Sequence, residues 1–238
     1  PIRVDDALKG LAAGINVTSN SGQPGAGSTI RVRGIGTVNN SDPLYIVDGM
    51  PVEDGIAFIN PNDIASIEVL KDAASGAVYG ARAANGVILV TTKSGSKGKV
   101  NVNYSFSYSL QNPWRKREML NAMEYATMMN EGSLNNGGNI IYADPASYGE
   151  GTNWQNEVFN DNAPQMNHQL SISGASDKVN YYLSAGYFSQ DGIIGGNWDR
   201  SNYKRFSLRS NTSYTLFDDT KERSWLNKMV LTSNITYT

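Results

Sequence analysis

From residue 99 onward the chain alternates. "KVNVNYSFSYSL" sets Val100, Val102, Tyr104, Phe106, Tyr108 and Leu110 on one side and Asn101, Asn103, Ser105, Ser107 and Ser109 on the other. A period of two marks a strand with unlike faces. "KVNYYLSAGYFS" repeats it, with Val179, Tyr181, Leu183, Ala185 and Tyr187 against Asn180, Tyr182, Ser184 and Gly186. "RFSLRSNTSYTL" sets Phe206, Leu208, Tyr214 and Leu216 against Arg205, Ser207, Arg209, Asn211 and Ser213. "HQLSISG" and "KMVLTSNITYT" are weaker versions, the latter placing Met229, Leu231, Ile235 and Tyr237 on one side. The polar sides are mostly Ser, Asn and Thr. A soluble sandwich presents Lys, Glu and Asp to water, so this pattern suits the wetted interior of a large barrel with its apolar face towards lipid. Tyr187 and Tyr237 suit an interfacial girdle.

The connections between these strands differ in length. Residues 112–165 form a long one containing a helix-compatible stretch, "REMLNAMEYATMMNEG"; "ASDK" is very short; "QDGIIGGNWDRSN" and "FDDTKERSWLN" are of medium length. Long outer loops alternating with short periplasmic turns are a barrel habit, and the first two connections follow it.

Before residue 99 the pattern mixes periods. "VDDALKGLAAGI" spaces Val4, Leu8, Leu11 and Ile15 as a helix would. "TIRVRGIG", "SIEVL" and "NGVILVTTK" read as strands, and "DAASGAVYGARAA" as a short helix-compatible stretch. In "YIVDGMPV", Asp48 and Gly49 mark a tight turn and Pro51 an edge strand. These elements predict a small α/β domain, joined to the alternating part by the polar linker "SGSKGK".

Composition sharpens the division. Only Tyr45, Phe58 and Tyr79 precede residue 100; every other aromatic lies from Tyr104 onward. The chain has 238 residues, 20 basic against 22 acidic, and no cysteine. There is no basic field for a nucleic-acid backbone and no thiolate chemistry. No apolar run approaches the ~20 residues of a spanning helix, and the opening lacks a signal-peptide pattern. Ending in mid-pattern at "NITYT", the chain reads as a fragment.

Candidate chemistry is sparse. His168 is the single histidine, and without Cys or a second His it reads as a solvated strand-end residue rather than a metal ligand or triad member. "GQPGAGSTIRVRG" lacks the Gly-Lys-Ser/Thr ending of a phosphate loop and precedes a strand. Asp residues show no calcium-loop spacing. A soluble hydrolase using Asp48, Asp54 or Glu68 is one reading, but Asp48 fits turn chemistry better. No residue is assigned a catalytic role.

"GINVTSNSGQPGAGSTIRVRGIGTVNNSDPLYIVDGMPV" followed by "INPNDIASIEVLKDAASGAVYGARAANGVILVTTKSG" occupies almost the whole first part. On these motifs the chain resembles the SusC/RagA-like TonB-dependent outer-membrane transporters of Bacteroidetes. "TNWQNEVF", "HQLSISGASDKVNYYLSAGYFSQDGII" and the final strands resemble the first barrel strands of that family.

The resemblance implies an α/β plug domain over residues 1–98. Residues 99–238 would be antiparallel strands of an incomplete transmembrane β-barrel, about five of the roughly 22 such a wall needs. It implies import of an oligosaccharide, or a peptide, without cofactor or bond-making chemistry. Expected partners are TonB, through a segment upstream of Pro1, a SusD-like surface lipoprotein and outer-membrane lipid. The alternative is a ligand-binding receptor or adhesin without transport.

Residue by residue, Arg33 in "RVRG" matches a family arginine that holds the plug to the barrel, while Lys71 stands where many plugs have a second one; Glu68 and Arg82 are candidates for the same cluster. The alternative for each is an ordinary plug-internal or solvated charge. Asn39, Asn40, Ser41 and Asp42 form a polar loop that the resemblance points outward, suited to hydrogen-bonding a sugar or peptide, or simply to turn chemistry. Trp114 and Trp198 fall in the predicted outer loops, where they could stack on a sugar, meet the lipoprotein or sit at the membrane interface.

Overall fold

The computed structural model describes residues 3–9, 14–19, 21–32, 34, 41–53, 55–71, 77–196, 201–218 and 225–238. These fall into two compact units. The first comprises residues 1–108, 165–190 and 203–238; the second comprises 109–164 and 191–202.

In the first unit a short helix α1 (Val4–Ala7) precedes an antiparallel pair, β1 (Ile15–Ser19) and β2 (Ser28–Val32). A four-stranded sheet follows, built from β3 (Leu44–Val47), β4 (Met50–Val52), β5 (Ile64–Leu70) and β6 (Val87–Thr92) in the order β4-β3-β6-β5. Strands β3 and β6 run parallel at its centre and are apolar on both faces, as buried parallel pairs are. Val47, Ile88 and Val90 pack with Val4, Leu8, Ile30, Ile56 and Ile59, whereas Leu44, Ile46 and Val87 pack with Ala83.

Asp48 and Gly49 join β3 to β4 with φ of 48° and 86°, the paired positive φ of a two-residue hairpin that asparagine, aspartate and glycine tolerate. Pro51 lies on the edge strand β4, where its missing donor costs nothing.

Two expectations change here. The helical spacing that began at Val4 does not carry to Ile15, which instead opens β1 opposite Val32 and packs on the core; Leu11 lies outside the described residues. The "AVYGARAAN" stretch forms tight 3-10 turns over Ala77–Asn85 rather than a continuous helix, because Gly80 breaks them with a φ of 72°.

The second sheet is antiparallel and five-stranded. It consists of β7 (Asn101–Gln111), β8 (Ala163–Ala175), β9 (Val179–Asp191), β10 (Asn202–Phe217) and β11 (Met229–Tyr237), in the order β11-β10-β9-β8-β7. Its burial is the reverse of a soluble protein's. Along β10 Arg205, Ser207 and Arg209 are buried while Phe206 and Leu208 are exposed. Along β9 Ser184 is buried while Leu183 and Tyr187 are exposed. The polar side meets the four-stranded sheet's loops; on the apolar side Leu170, Leu183, Leu208 and Ile235 line a shallow groove. Along β9 and β10 the predicted alternation therefore holds, with the apolar face unburied by protein as lipid contact requires.

His168 corrects the strand-end reading. It lies within β8 on the outward side, its Nδ1 2.8 Å from the Tyr104 hydroxyl and its ring 4.7 Å from that of Phe106.

The second unit holds the long connection after β7. Helix α2 (Ala122–Asn135) starts at a reciprocal cap in which the Glu124 N–H donates to Asn121 Oδ1 and the Asn121 N–H to Glu124 Oε2. A short helix α3 (Trp154–Val158) is capped by Asn153. Among the described residues no helix is long and apolar enough to cross a membrane.

Candidate functional site: the plug–wall boundary and a plug cleft

Within the first unit the four-stranded sheet and its loops are fastened to the inner face of the five-stranded wall at several places among the described residues. The first is ionic. Asp48, placed by the hairpin turn, takes the Thr92 N–H on Oδ1 at 2.8 Å and the Thr92 hydroxyl on Oδ2 at 2.7 Å. Arg209 Nη2, from β10, donates to Asp48 Oδ2 at 2.7 Å and to Thr92 Oγ1 at 2.6 Å, and its Nη1 donates to Thr236 on β11 at 2.8 Å. The side chains are 3% exposed for Arg209 and 15% for Asp48, so the pair is shielded from water and salt.

The second place is a chain of amides and a phenol gathered on the Asp63 carboxylate. Asn60 Oδ1 accepts from the Asn62 N–H, fixing the turn before β5. Its Nδ2 donates to Gln169 Oε1 at 2.7 Å. The Gln169 amide and the Tyr182 hydroxyl both donate to Asp63 Oδ1 at 2.9 Å. Gly186 leaves room for this cluster: a Cβ there would come within 2.5 Å of Gln169 Oε1 and 2.6 Å of Asn60 Nδ2.

The third place is the strap after β6. The Gly95 N–H donates to Asn180 Oδ1 at 2.7 Å and Asn180 Nδ2 donates back to the Gly95 carbonyl at 2.9 Å. Lys97 pairs with Asp177 in the turn between β8 and β9 at 2.8 Å.

A separate cleft of about 700 Å3 opens on the four-stranded sheet, lined by Ser28, Asp42, Tyr45, Glu53, Arg82 and Asn85 among others. Burial, then the Asp42 and Asp5 carboxylates, push the Tyr45 phenol up to about 12 from 10.0. The raised value means that Tyr45 contributes full stability below pH 10 and loses it as the pH rises through about 12. Ultraviolet titration of the full-length receptor is expected to show late-ionising tyrosine absorbance that falls by one tyrosine in Tyr45→Phe.

The residues singled out from sequence divide as follows. Asp42 and Arg82 meet on this cleft. Ser41 is buried next to it in sequence. Arg82 pairs at 3.2 Å with Glu53, a partner inside the plug. Glu68 is exposed on β5, and Lys71 passes beside Gly14. Trp114 belongs to the second unit and is 96% exposed. Arg33, Asn39, Asn40, Asp54 and Trp198 lie outside the described residues.

The ionic fastening escaped the sequence reading and runs opposite to the expected polarity, with the acid on the plug and the arginine on the wall. Its signal was present: Arg209 sits with Arg205 on the polar side of a strand otherwise lined by Ser and Asn, where a buried cation needs an acid.

A plug-like sheet pinned inside an antiparallel wall with a bare apolar outer face defines the plugged-barrel class of receptor. Residues 2–87 match the TonB-dependent Receptor Plug Domain family. Over 226 residues the chain is 42% identical to TonB-dependent receptor P26 of Formosa agariphila, covering 92% of this chain and 22% of that protein. Over 227 residues it is 36% identical to TonB-dependent receptor SusC of Bacteroides thetaiotaomicron, covering 90% and 21%.

Among solved structures it is similar to the RagAB peptide importer in the closed-closed state, with a TM-score of 0.78 at 28% identity, covering 99% of this chain and 28% of that one. The siderophore receptor PirA from Acinetobacter baumannii, at 18% identity and a TM-score of 0.53, shares the fold. The chain is thus a plug domain followed by antiparallel strands, and it matches the N-terminal part of SusC- and RagA-like TonB-dependent receptors. These relatives are receptors and transporters, not enzymes. The chain spans about a fifth of the length of the curated relatives it matches.

Proposed function

We propose that the protein takes part in TonB-dependent import of a nutrient across the bacterial outer membrane, with the plug, residues 1–98, gating a barrel whose wall begins at residue 99. The observation that carries this reading is the reversed burial of β9 and β10, whose polar side faces the plug and whose apolar side is bare. An oligosaccharide is the first expectation for the cargo, from the likeness to SusC; a peptide is the second, from the likeness to the RagAB peptide importer. A SusD-like surface lipoprotein would capture the cargo, and TonB would supply the work through a segment preceding the plug. Ser41 and Asp42, with the cleft beside them, are the proposed cargo contacts among the described residues.

The test is uptake by cells carrying the full-length receptor. Growth on the cargo is expected to disappear when TonB is deleted and to return with complementation. Uptake that persists without TonB overturns the reading, and cargo binding without any import favours a receptor that does not transport.

A further inference from the structure

The segment following β7 carries charges that the plug and wall do not use. Asn112 ends the strand with two bonds across to β8's approach: Asn112 Nδ2 donates to Asn162 Oδ1 at 3.2 Å, and the Asn162 N–H donates to Asn112 Oδ1 at 2.7 Å. Leu110, two residues earlier, is the last residue of β7's exposed apolar series. The chain then leaves the sheet at Pro113 and runs "WRKR".

This run is held in place rather than free. Gln155 grips the backbone of Arg117 on both sides, accepting its N–H at 3.0 Å and donating to its carbonyl at 2.6 Å. Lys116 turns towards α3 and its flank, donating to Asn156 at 3.2 Å and pairing with Asp161 at 3.0 Å. Its neighbours Arg115 and Arg117 are exposed, and among the described residues neither guanidinium has an ion-pair partner. Trp114 is almost fully exposed, and so is most of Trp154 beside Gln155.

We propose that Trp114, Arg115 and Arg117 dock the phosphate groups of an anionic lipid headgroup at the rim of the wall. Indole rings prefer the boundary between hydrocarbon and water, and Trp114 lies three residues beyond the end of a strand with an exposed apolar series. Guanidinium groups bind phosphate in two-pronged geometry, and basic residues just beyond a membrane-spanning element are drawn to anionic lipid. An uncharged sugar would leave both guanidinium charges unmet, and the continuity with the outward series of β7 favours lipid over a protein partner. The inference rests on the proposed reading of the wall as membrane-embedded.

The experiment uses the full-length receptor extracted from outer membranes and presented with bisphosphorylated lipid A, its dephosphorylated form, or inorganic phosphate, with bound species read by native mass spectrometry. The unaltered receptor is expected to retain the phosphorylated lipid in preference to the other two. Arg115→Gln with Arg117→Gln is expected to weaken that retention about tenfold or more, leaving the dephosphorylated lipid unaffected. Arg115→Lys with Arg117→Lys should fall between.

Equal retention by the Gln variant overturns the proposal. So does a receptor indifferent to phosphorylation, or a variant that keeps the lipid but loses a protein partner or cargo. Heat-modifiable gel mobility separates misassembly from lost binding. TonB-dependent uptake by the unaltered receptor, measured alongside, reports on the import reading alone.

Discussion

Arg209→Ala in the full-length receptor is expected to cost about 3–5 kcal/mol of plug docking, the usual penalty for stranding one member of a buried ion pair. Arg209 is the pin between β10, β11 and the plug, reaching Asp48, Thr92 and Thr236 from one guanidinium. Its removal leaves the Asp48 carboxylate shielded from water with only the Thr92 groups to meet it. The loss should appear as earlier thermal release of the plug, read by proteolysis of residues 1–98, and as greater permeability to large hydrophilic antibiotics.

Arg209→Lys should not rescue it, because a point charge cannot span Asp48 and Thr236 together. Asp48→Asn should cost less, since an amide oxygen still accepts the Thr92 N–H. A double-mutant cycle between the two positions is expected to show strong coupling; additive losses would mean that the pair does not fasten the plug.

Gly95→Ala should have the second largest effect. A Cβ at Gly95 would lie 2.1 Å from the Gly174 carbonyl oxygen and 2.6 Å from the Tyr181 carbonyl oxygen. Both are backbone atoms of neighbouring wall strands and cannot swing aside as a side-chain tip can. The strap must lift away, giving up both bonds with Asn180. Overpacking of this kind costs about 1–3 kcal/mol and occasionally more, and an upper-end loss is expected, seen as a reduced fraction of heat-modifiable barrel. Gly132→Ala is the control. It lies within α2 with open space around it, and alanine there should add about 1 kcal/mol of helix stability. If Gly95→Ala assembles as well as Gly132→Ala, the strap is not close-packed in the membrane.

The wall was the most legible part of the chain. Alternation along β9 and β10 gives strand, facing and the chemistry of each face together, because a period of two admits no other reading over so many residues. The hairpin at Asp48 was legible as well, since positive φ at two successive positions selects a narrow set of residues. The series from Val4 misled because a single helical turn and a following strand can share the same apolar spacing; Ile15 and Val17 belong to the core through β1 instead. His168 misled for a different reason. Its partners Tyr104 and Phe106 are far away in sequence, and only strand pairing brings them alongside.

The fastening residues were hidden by their ordinariness. Asn60, Gln169 and Asn180 are amides in loops and on a polar strand face, indistinguishable in sequence from solvated ones. Asp48 already had a sufficient explanation in its turn. Its second role appears only when Arg209 arrives from far along the chain.

The seam between plug and wall is made mainly of amides, hydroxyls and backbone carbonyls. Each such bond nets only about 0.5–1.5 kcal/mol because water offers a near-equal replacement. Parting the seam therefore trades one set of partners for another, whereas parting an apolar core would expose area at about 25 cal/mol per Å2. Such a joint can be opened and reseated repeatedly without leaving adhesive apolar surface behind, and the buried ion pair of Arg209 with Asp48 sets the register in which it closes again.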